Sequence, residues 1–220
     1  MNLLMIPVVF TALLAAPVYA APSPSNSPEG LVAVPSRTLD EFHVRPKADL
    51  SGYRKVIIDT PQVALTKGWL KSMNGTRDLQ RWLYPQDAQR VTDDAVVGMG
   101  NAVSDAFRSR GYEVVTAPGA GVLRLSPSVV DLYVIAPDVP GSGLTRTYTK
   151  DSAGEATLIL DARDSVTGTL VGRVVDRNTS REVGRFNYAD RVTNAYWLDA
   201  MFRAWALNCA TGFETAQAAP

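Results

Sequence analysis

GEATLILDARDSVTGTLVGRVVDR, residues 154–177, is the stretch of sequence that decides the fold. Two runs rich in strand-forming residues flank the segment 164–168, where Gly168 can adopt the positive φ of a tight turn, so the stretch predicts a β-hairpin. One face of the first run carries Ala156, Leu158, Leu160 and Ala162, and the other carries Thr157, Asp161 and Arg163. This alternation is typical of a sheet that helices cover on one side only.

Two apolar stripes at helical spacing predict the helices that cover this sheet. The stripe of the first helix, over residues 87–110, consists of Val91, Ala95, Met99, Val103 and Phe107. The stripe of a terminal helix, capped by Thr193 or Asn194, consists of Leu198, Phe202, Trp205, Cys209 and Phe213. Cys209 therefore lies on a buried face, which favours inert packing over redox chemistry.

Further strands are predicted over residues 55–63, 112–116 and 122–135. Pro61 cannot donate a ladder hydrogen bond, so it marks an edge, a bulge or the end of the first of these strands. The apolar phase of the longest strand changes midway, which predicts a β-bulge at Pro127-Ser128. The order of elements predicts an α/β (α+β) sandwich with a mixed, largely antiparallel sheet and two main helices packed on one face.

The first residues resemble an export signal. No charged residue precedes Glu29, and residues 3–16 form an apolar run of the length that a secretory signal uses. Val18 and Ala20 are the small side chains expected before cleavage between Ala20 and Ala21. We therefore expect a signal peptide at 1–20, a flexible Pro-rich leader at 21–37 and a single α/β domain at 38–220.

Cysteine usage and charge refine the expected location and partners. The only cysteine is Cys209, so no lipid-acceptor cysteine follows the apolar run and no internal disulfide can form. We expect a periplasmic protein that is not lipidated and has no membrane span after cleavage of the signal. The 22 basic residues balance the 22 acidic ones, which argues against nucleic acid and gives no reason to expect an anionic membrane surface.

The sequence contains no recognisable catalytic constellation. His43 is the only histidine and lies in a predicted loop, so Ser-His-Asp and Cys-His arrangements are implausible. No metal-ligand spacing or glycine-rich phosphate loop occurs, and we expect no cofactor and no metal. Asp161 and Asp164 are interpreted as solvated strand-end groups, although a hydrolase that uses carboxylates alone stays open as an alternative.

The candidate binding segment is the connection over residues 136–153, APDVPGSGLTRTYTKDSA. Long polar segments inside compact domains tend to be either functional or mobile, and both interpretations stay open here. Arg146, Tyr148 and Lys150 are expected near the tip of this loop and are the candidate binding residues.

A family resemblance rests on three places in the chain. They are the segment from Arg45-Pro46 to Ala48-Asp49-Leu50-Ser51 and Tyr53, the hairpin residues Leu160-Asp161 and Thr167-Gly168, and Phe202 with Trp205-Ala206. Together they resemble the bacterial domain-of-unknown-function 3313 family, many members of which are small envelope lipoproteins. The family implies no established activity and no catalytic residues, and this chain departs from its lipoproteins in lacking the acceptor cysteine.

The order of elements is also similar to the N-terminal domain of the Tol-system periplasmic protein, and to outer-membrane lipoproteins that activate cell-wall synthases. Those proteins are adaptor or binding modules, and fold likeness is an associational argument for function. We therefore expect a non-enzymatic periplasmic binding or adaptor module of the bacterial cell envelope, with an envelope protein as its partner. The alternatives are a carboxylate-based secreted hydrolase and a carrier of a small ligand or lipid.

Overall fold

A computed structural model describes residues 30–75, 77, 79, 82–134, 148–149, 154–179, 187–188 and 191–218. The strands are β1 (Val32–Ala33), β2 (Glu41–Val44), β3 (Lys55–Ile58), β4 (Gln62–Leu65), β5 (Glu113–Val114), β6 (Val122–Val134), β7 (Tyr148–Thr149), β8 (Gly154–Asp164), β9 (Leu170–Thr179) and β10 (Asn187–Tyr188). The helices are α1 (Trp69–Asn74), α2 (Pro85–Ser109) and α3 (Arg191–Ala218), and a 3-10 turn lies at Leu50–Gly52.

The predicted hairpin is the centre of the main sheet. Strands β8 and β9 pair antiparallel, and Gly168 in their turn has φ +70°. The sheet order is β1-β2-β9-β8-β6-β3-β5, with β4 also paired to β6. The pairs β1–β2, β2–β9, β9–β8 and β8–β6 are antiparallel. Strands β3 and β4 pair in parallel with β6, and β5 pairs in parallel with β3. The mixed, largely antiparallel sheet is therefore confirmed.

Helices α2 and α3 pack on one face of this sheet, here called the inner face. Ala156, Leu158, Leu160 and Ala162 lie on the inner face, and each is at most 4% exposed. The predicted helix stripes meet them: Met99, Val103 and Phe107 of α2 are fully buried, as is Phe213 of α3. Gly172 of β9 permits this packing, because a Cβ built there would lie only 2.7 Å from the ring of Phe213. The two-helix layer is confirmed.

The opposite face, here called the outer face, differs from the sequence-based expectation of an uncovered surface. Thr157, Ile159 and Asp161 of β8 are only 8%, 2% and 8% exposed. Ile159 is the Cα partner of Val175, another apolar residue, and this pair interrupts the polar pattern. Solvation is therefore the wrong interpretation for Asp161, whose charge is neutralised by arginines as described below.

The predicted bulge in the long strand is real but misplaced. The pairing of β6 with β8 runs without a shift through Pro127 and Ser128, and the register changes between Val130 and Tyr133. Asp131, inside that interval, has φ +52°. Val129 and Val130 are both apolar, so the sequence pattern alone fits a phase change at either place.

Three predicted boundaries also move. The first predicted strand is divided into β3 and β4, with Pro61 in the break, which confirms one of the roles expected of it. Helix α3 begins at Arg191, before the predicted caps Thr193 and Asn194. Strand β1 lies inside the predicted leader and pairs with β2, so the sheet begins before the expected domain boundary at residue 38. Among the described residues, no helix is long and apolar enough to cross a lipid bilayer.

Candidate functional site

The connection that was predicted to bind a partner begins and ends at two residues that are directly opposed on neighbouring strands. Val134, the last residue of β6, is the Cα partner of Gly154, the first residue of β8. Two antiparallel neighbours can be joined by roughly two to five residues. Residues 135–153 are far more than this closure requires, so most of the connection is not needed to join β6 to β8.

A second connection leaves the sheet at the same end and pairs with the first. Glu155 of β8 is the Cα partner of Thr179, so β9 ends beside the start of β8. Farther along the two connections, β7 and β10 form a two-stranded antiparallel sheet in which Tyr148 is the partner of Tyr188. Both connections therefore contribute backbone to one structure, here called the β7–β10 ribbon.

Of the three predicted binding residues, only Tyr148 lies in the described part of the chain. Tyr148 lies in β7, and its backbone forms part of the β7–β10 ribbon. Arg146 and Lys150 lie outside the described residues. The prediction that these three side chains bind a partner therefore stays a prediction.

The outer face carries a polar row that crosses four strands. Ser126, Asp161, Arg173 and His43 are successive Cα partners on β6, β8, β9 and β2. The Arg173 guanidinium donates from Nε to one oxygen of Asp161 at 2.5 Å and from a terminal nitrogen to the other at 2.8 Å. This hydrogen bonding raises the pKa of Arg173 and fixes the carboxylate in a two-point ion pair.

Arg163 adds a weaker contact to the same carboxylate. Its guanidinium donates to Asp161 at 3.3 Å and to the Gly168 carbonyl oxygen at 3.2 Å. The side chain of Arg163 is 40% exposed, whereas those of Asp161 and Arg173 are 12% and 15% exposed. The ion pair of Asp161 with Arg173 is therefore the more buried part of the cluster.

A second ion pair lies beside the first and uses the same face. Arg124 of β6 donates from Nε to both oxygens of Asp59, at 2.9 and 3.0 Å, and the Ser126 hydroxyl donates to Asp59 at 2.7 Å. Arg124 is also the Cα partner of Arg163. Each of these opposed arginines contacts its own aspartate, which offsets the repulsion that like charges on neighbouring strands would cause.

Asp164 is engaged in the hairpin turn. Its carboxylate accepts hydrogen bonds from the backbone N–H groups of Thr167 at 2.7 Å and Val166 at 3.1 Å, and from the Tyr53 hydroxyl at 3.0 Å. The Thr167 N–H is the main reason that the pKa of Asp164 is lowered. Burial, followed by the bond to Asp164, raises the pKa of Tyr53 to about 12. The carboxylate is held ionised and serves as a turn-forming acceptor.

These arrangements bear on the alternative of a carboxylate-based hydrolase. Asp161 is the partner of Ser126 on the outer face, whereas Asp164 is the partner of Leu123, whose side chain is fully buried in the core. Paired catalytic carboxylates must flank one scissile bond. Asp161 and Asp164 face opposite sides of the sheet, so the structure does not bring them together as a catalytic pair.

Other titratable groups are placed in the core or at its edge. Cys209 is 1% exposed, and burial raises the pKa of its thiol, which fits the predicted inert packing. Asp176, on the inner side of β9, accepts the Asp40 backbone N–H at 2.9 Å, while its burial raises its pKa. His43 Nδ1 is buried and has no hydrogen-bond partner among the described residues. In that same part of the chain, no group of three or more potential metal ligands comes together.

Sequence reasoning missed the partners of the outer-face carboxylates. Arg173 lies opposite Asp161 only because the hairpin register shifts by one residue, between the pair of Arg163 with Leu170 and the pair of Ala162 with Gly172. Regular pairing from the turn would place Gly172 opposite Asp161, so the turn alone does not identify Arg173. Asp59 could not have been found from a local pattern either. It reaches Arg124 only because β3 pairs in parallel with β6, which no local pattern indicates.

The comparison with protein families identifies the family of this chain. The family model described as "Protein of unknown function (DUF3313)" matches residues 27–209. No curated protein matches the chain. The weaker likeness to the N-terminal domain of the Tol-system periplasmic protein is not confirmed.

Several solved structures are similar to the chain at low sequence identity. A PelC dodecamer from Paraburkholderia phytofirmans is 12% identical, with a TM-score of 0.40, over 76% of this chain and 94% of that chain. Protein XCC0632 from Xanthomonas campestris, of family DUF330, is 12% identical, with a TM-score of 0.42, over 75% and 89%. A putative neuraminyllactose-binding hemagglutinin homologue from Helicobacter pylori is 11% identical, with a TM-score of 0.42, over 80% and 92%. Nothing about the function of this chain follows from likenesses at these TM-scores.

Proposed function

This chain belongs to the DUF3313 family of proteins of unknown function, and from that premise we propose that it is a non-enzymatic binding or adaptor module of the bacterial cell envelope. The observation that carries the proposal is the insertion of residues 135–153 between two strand ends that are already paired. Connections of this length in compact domains commonly hold functional residues. The insertion also shares the β7–β10 ribbon with the neighbouring connection, so its backbone is tied to a second segment at the same end of the sheet.

The recognition chemistry of this module is assigned to Arg146, Tyr148 and Lys150. The cations at 146 and 150 flank a tyrosine whose backbone is fixed by pairing with Tyr188. Arginine and tyrosine are residue types that protein interfaces use as anchors, and clustered cations recognise acidic groups. The expected partner is an envelope protein that presents an acidic surface to this ribbon.

A pull-down from periplasmic and membrane extracts tests the proposal. The double variant Arg146→Glu, Lys150→Glu should lose a specific envelope partner that the unaltered protein retains. The matched control is Lys47→Glu, Arg108→Glu, which changes net charge equally at two exposed cations on other parts of the fold. Recovery of no specific partner from either extract, or equal loss of the partner in both variants, would count against the proposal.

We also propose that the protein works in the periplasm after cleavage between Ala20 and Ala21 and without lipidation. The apolar run at 3–16 and the small residues Val18 and Ala20 support this location. N-terminal sequencing and intact-mass measurement of the periplasmic form should give a chain that starts at Ala21 with no added lipid mass. A chain that keeps residues 1–20 in the cytoplasmic fraction would contradict it.

A further inference from the structure

A small apolar surface projects from the segment between α1 and α2. Leu79 is 72% exposed, Trp82 is 42% exposed and Tyr84 is 53% exposed. Large apolar side chains that cluster in this way on a folded surface commonly mark an interaction site. This set, Leu79, Trp82 and Tyr84, is called the 79–84 surface below.

The local structure holds these side chains outward. Leu83, between the two aromatic residues, is 6% exposed and belongs to the core. The Asn74 side chain fixes it there, because its amide donates to the Leu83 carbonyl oxygen at 2.9 Å and accepts the Leu83 N–H at 2.8 Å. Successive side chains of an extended segment point in opposite directions, so a buried Leu83 turns Trp82 and Tyr84 toward solvent.

The Trp82 ring is also anchored at its polar edge. Its indole N–H donates to the Arg77 carbonyl oxygen at 3.3 Å, and the Trp82 backbone N–H donates to the Leu79 carbonyl oxygen at 3.4 Å. The turn thus brings Leu79 beside Trp82. Because these contacts lie within the segment itself, the exposed part of the indole is available to an external apolar phase.

The stretch of sequence that carries this surface is basic, although the whole chain is neutral. Between residues 67 and 84 the sequence has four basic residues, Lys67, Lys71, Arg77 and Arg81, against the single acidic residue Asp78. Lys67 and Lys71 are exposed. Lys71 lies in the last turn of α1, the helix that leads into the segment carrying the 79–84 surface.

We propose that the 79–84 surface docks the protein onto an anionic lipid bilayer. Tryptophan and tyrosine favour the membrane–water interface, where their rings are apolar and their polar edges stay hydrated. Lysines next to inserted side chains gain from the negative potential of anionic lipids. Lysine is depleted in protein–protein interfaces, and three side chains cover far less than the roughly 800 Å² per partner of a standard interface, so the composition favours a bilayer over a protein.

This docking is a peripheral contact, compatible with the finding that no described helix could span a bilayer. It is also independent of the binding role assigned to residues 146–150. The anionic surface would be that of a phospholipid membrane facing the compartment in which the protein resides.

Vesicle flotation with the chain from Ala21 onward, which keeps every described residue, tests the proposal. Vesicles that contain phosphatidylglycerol should carry the protein to the top of the gradient, and purely phosphatidylcholine vesicles should carry much less. The variant Leu79→Ser, Trp82→Ser, Tyr84→Ser should lose binding by at least tenfold. The matched control Val166→Ser, Leu207→Ser removes apolar side chains that are 66% and 44% exposed elsewhere, and it should float normally.

Two further measurements test which side chains contribute to the contact with the lipid. Lys67→Gln and Lys71→Gln should each weaken binding to the anionic vesicles by about fivefold, and raised salt should have a similar effect. Vesicles with bromine on the lipid chains should quench tryptophan fluorescence, and Trp82→Phe should remove that quenching while flotation is largely kept.

Equal flotation of the triple variant and its control, or equal binding to neutral and anionic vesicles, would overturn the proposal. So would the loss of an envelope protein from the triple variant without any vesicle binding by the unaltered chain, because the 79–84 surface would then be a protein interface. Circular dichroism of each variant separates these outcomes from unfolding. None of them depends on the charge-reversal result at Arg146 and Lys150.

Discussion

Removing the carboxylate of Asp161 is expected to lower the free energy of unfolding by about 3 kcal/mol. The perturbation is Asp161→Ala. It leaves the Arg173 guanidinium, whose side chain is only 15% exposed, without the two bonds of 2.5 and 2.8 Å that neutralise it. Loss of one partner from a fully buried ion pair costs about 3–5 kcal/mol, and the residual exposure of both side chains places this pair at the lower end.

The same cluster supplies an internal comparison. Arg163→Met removes the single 3.3 Å contact of a side chain that is 40% exposed, so it should cost less than about 1 kcal/mol. Arg173→Met should cost nearly as much as Asp161→Ala, because the carboxylate then keeps only Arg163. A double-mutant cycle between Asp161 and Arg173 should give a coupling energy of about 2 kcal/mol, since contacting charged groups are strongly non-additive.

Urea denaturation, followed by far-ultraviolet circular dichroism at pH 7, measures these energies. Equal costs for Asp161→Ala and Arg163→Met, or a coupling energy near zero between Asp161 and Arg173, would refute the buried ion pair. A substitution at Asp161 also tests whether this carboxylate has a catalytic role. If an activity is found for this protein and Asp161→Asn removes it while stability is kept, the structural role assigned to Asp161 would be incomplete.

Three further outcomes are expected. Gly172→Ala should lower the free energy of unfolding by about 1–3 kcal/mol, because the added Cβ would lie 2.7 Å from the Phe213 ring, and an unchanged urea midpoint would contradict this packing. Trp69→Phe should cost about 1–2 kcal/mol through the loss of the buried 2.8 Å bond from its indole to the Val134 carbonyl oxygen, again measured with urea. Burial raises the pKa of Asp176 above 3.8 in the folded state, so the stability that its protonation provides is present below pH 3.8 and is lost as pH rises through the raised pKa. Asp176→Asn should reduce that decline in a series of urea titrations at different pH values, and an identical pH slope would exclude this contribution.

The hairpin could be predicted from sequence because its determinants are local. Gly168 supplies a backbone conformation that other residues avoid, and the apolar residues at every second position identify the inner face. The helix stripes were predictable for the same reason. Met99 and Phe107 lie about two turns apart on α2 and are both fully buried.

The features that sequence reasoning missed depend on contacts between distant segments. The β6 bulge lies after Val130, where the parallel pairing with β4 also changes register, with Val63 opposite Val129 and Leu65 opposite Leu132. A strand that is apolar at two adjacent positions offers no signal of its own for that choice. The ion pair of Asp59 with Arg124 likewise requires the parallel pairing of β3 with β6.

The exposure of Trp82 is a third feature that could not be predicted from the sequence. Trp82 and Leu83 are adjacent apolar residues in an extended segment, and such a pair carries no local signal for which side chain is buried. The side chain of Asn74 decides between them by bonding the backbone of Leu83. One amide therefore determines that Leu83 enters the core and that the Trp82 ring stays on the surface.

The paired rung at Val134 and Gly154 has a practical consequence for protein engineering. Because hydrogen-bonded strands already hold both ends of the connection, a flexible insert that doubled its length would add only about 0.6 kcal/mol of closure entropy. The rung is thus a natural acceptor for a grafted epitope tag or a fluorescent reporter. A reporter placed between these two residues would sit at the same end of the sheet as the β7–β10 ribbon, where occupancy by another molecule should change its signal.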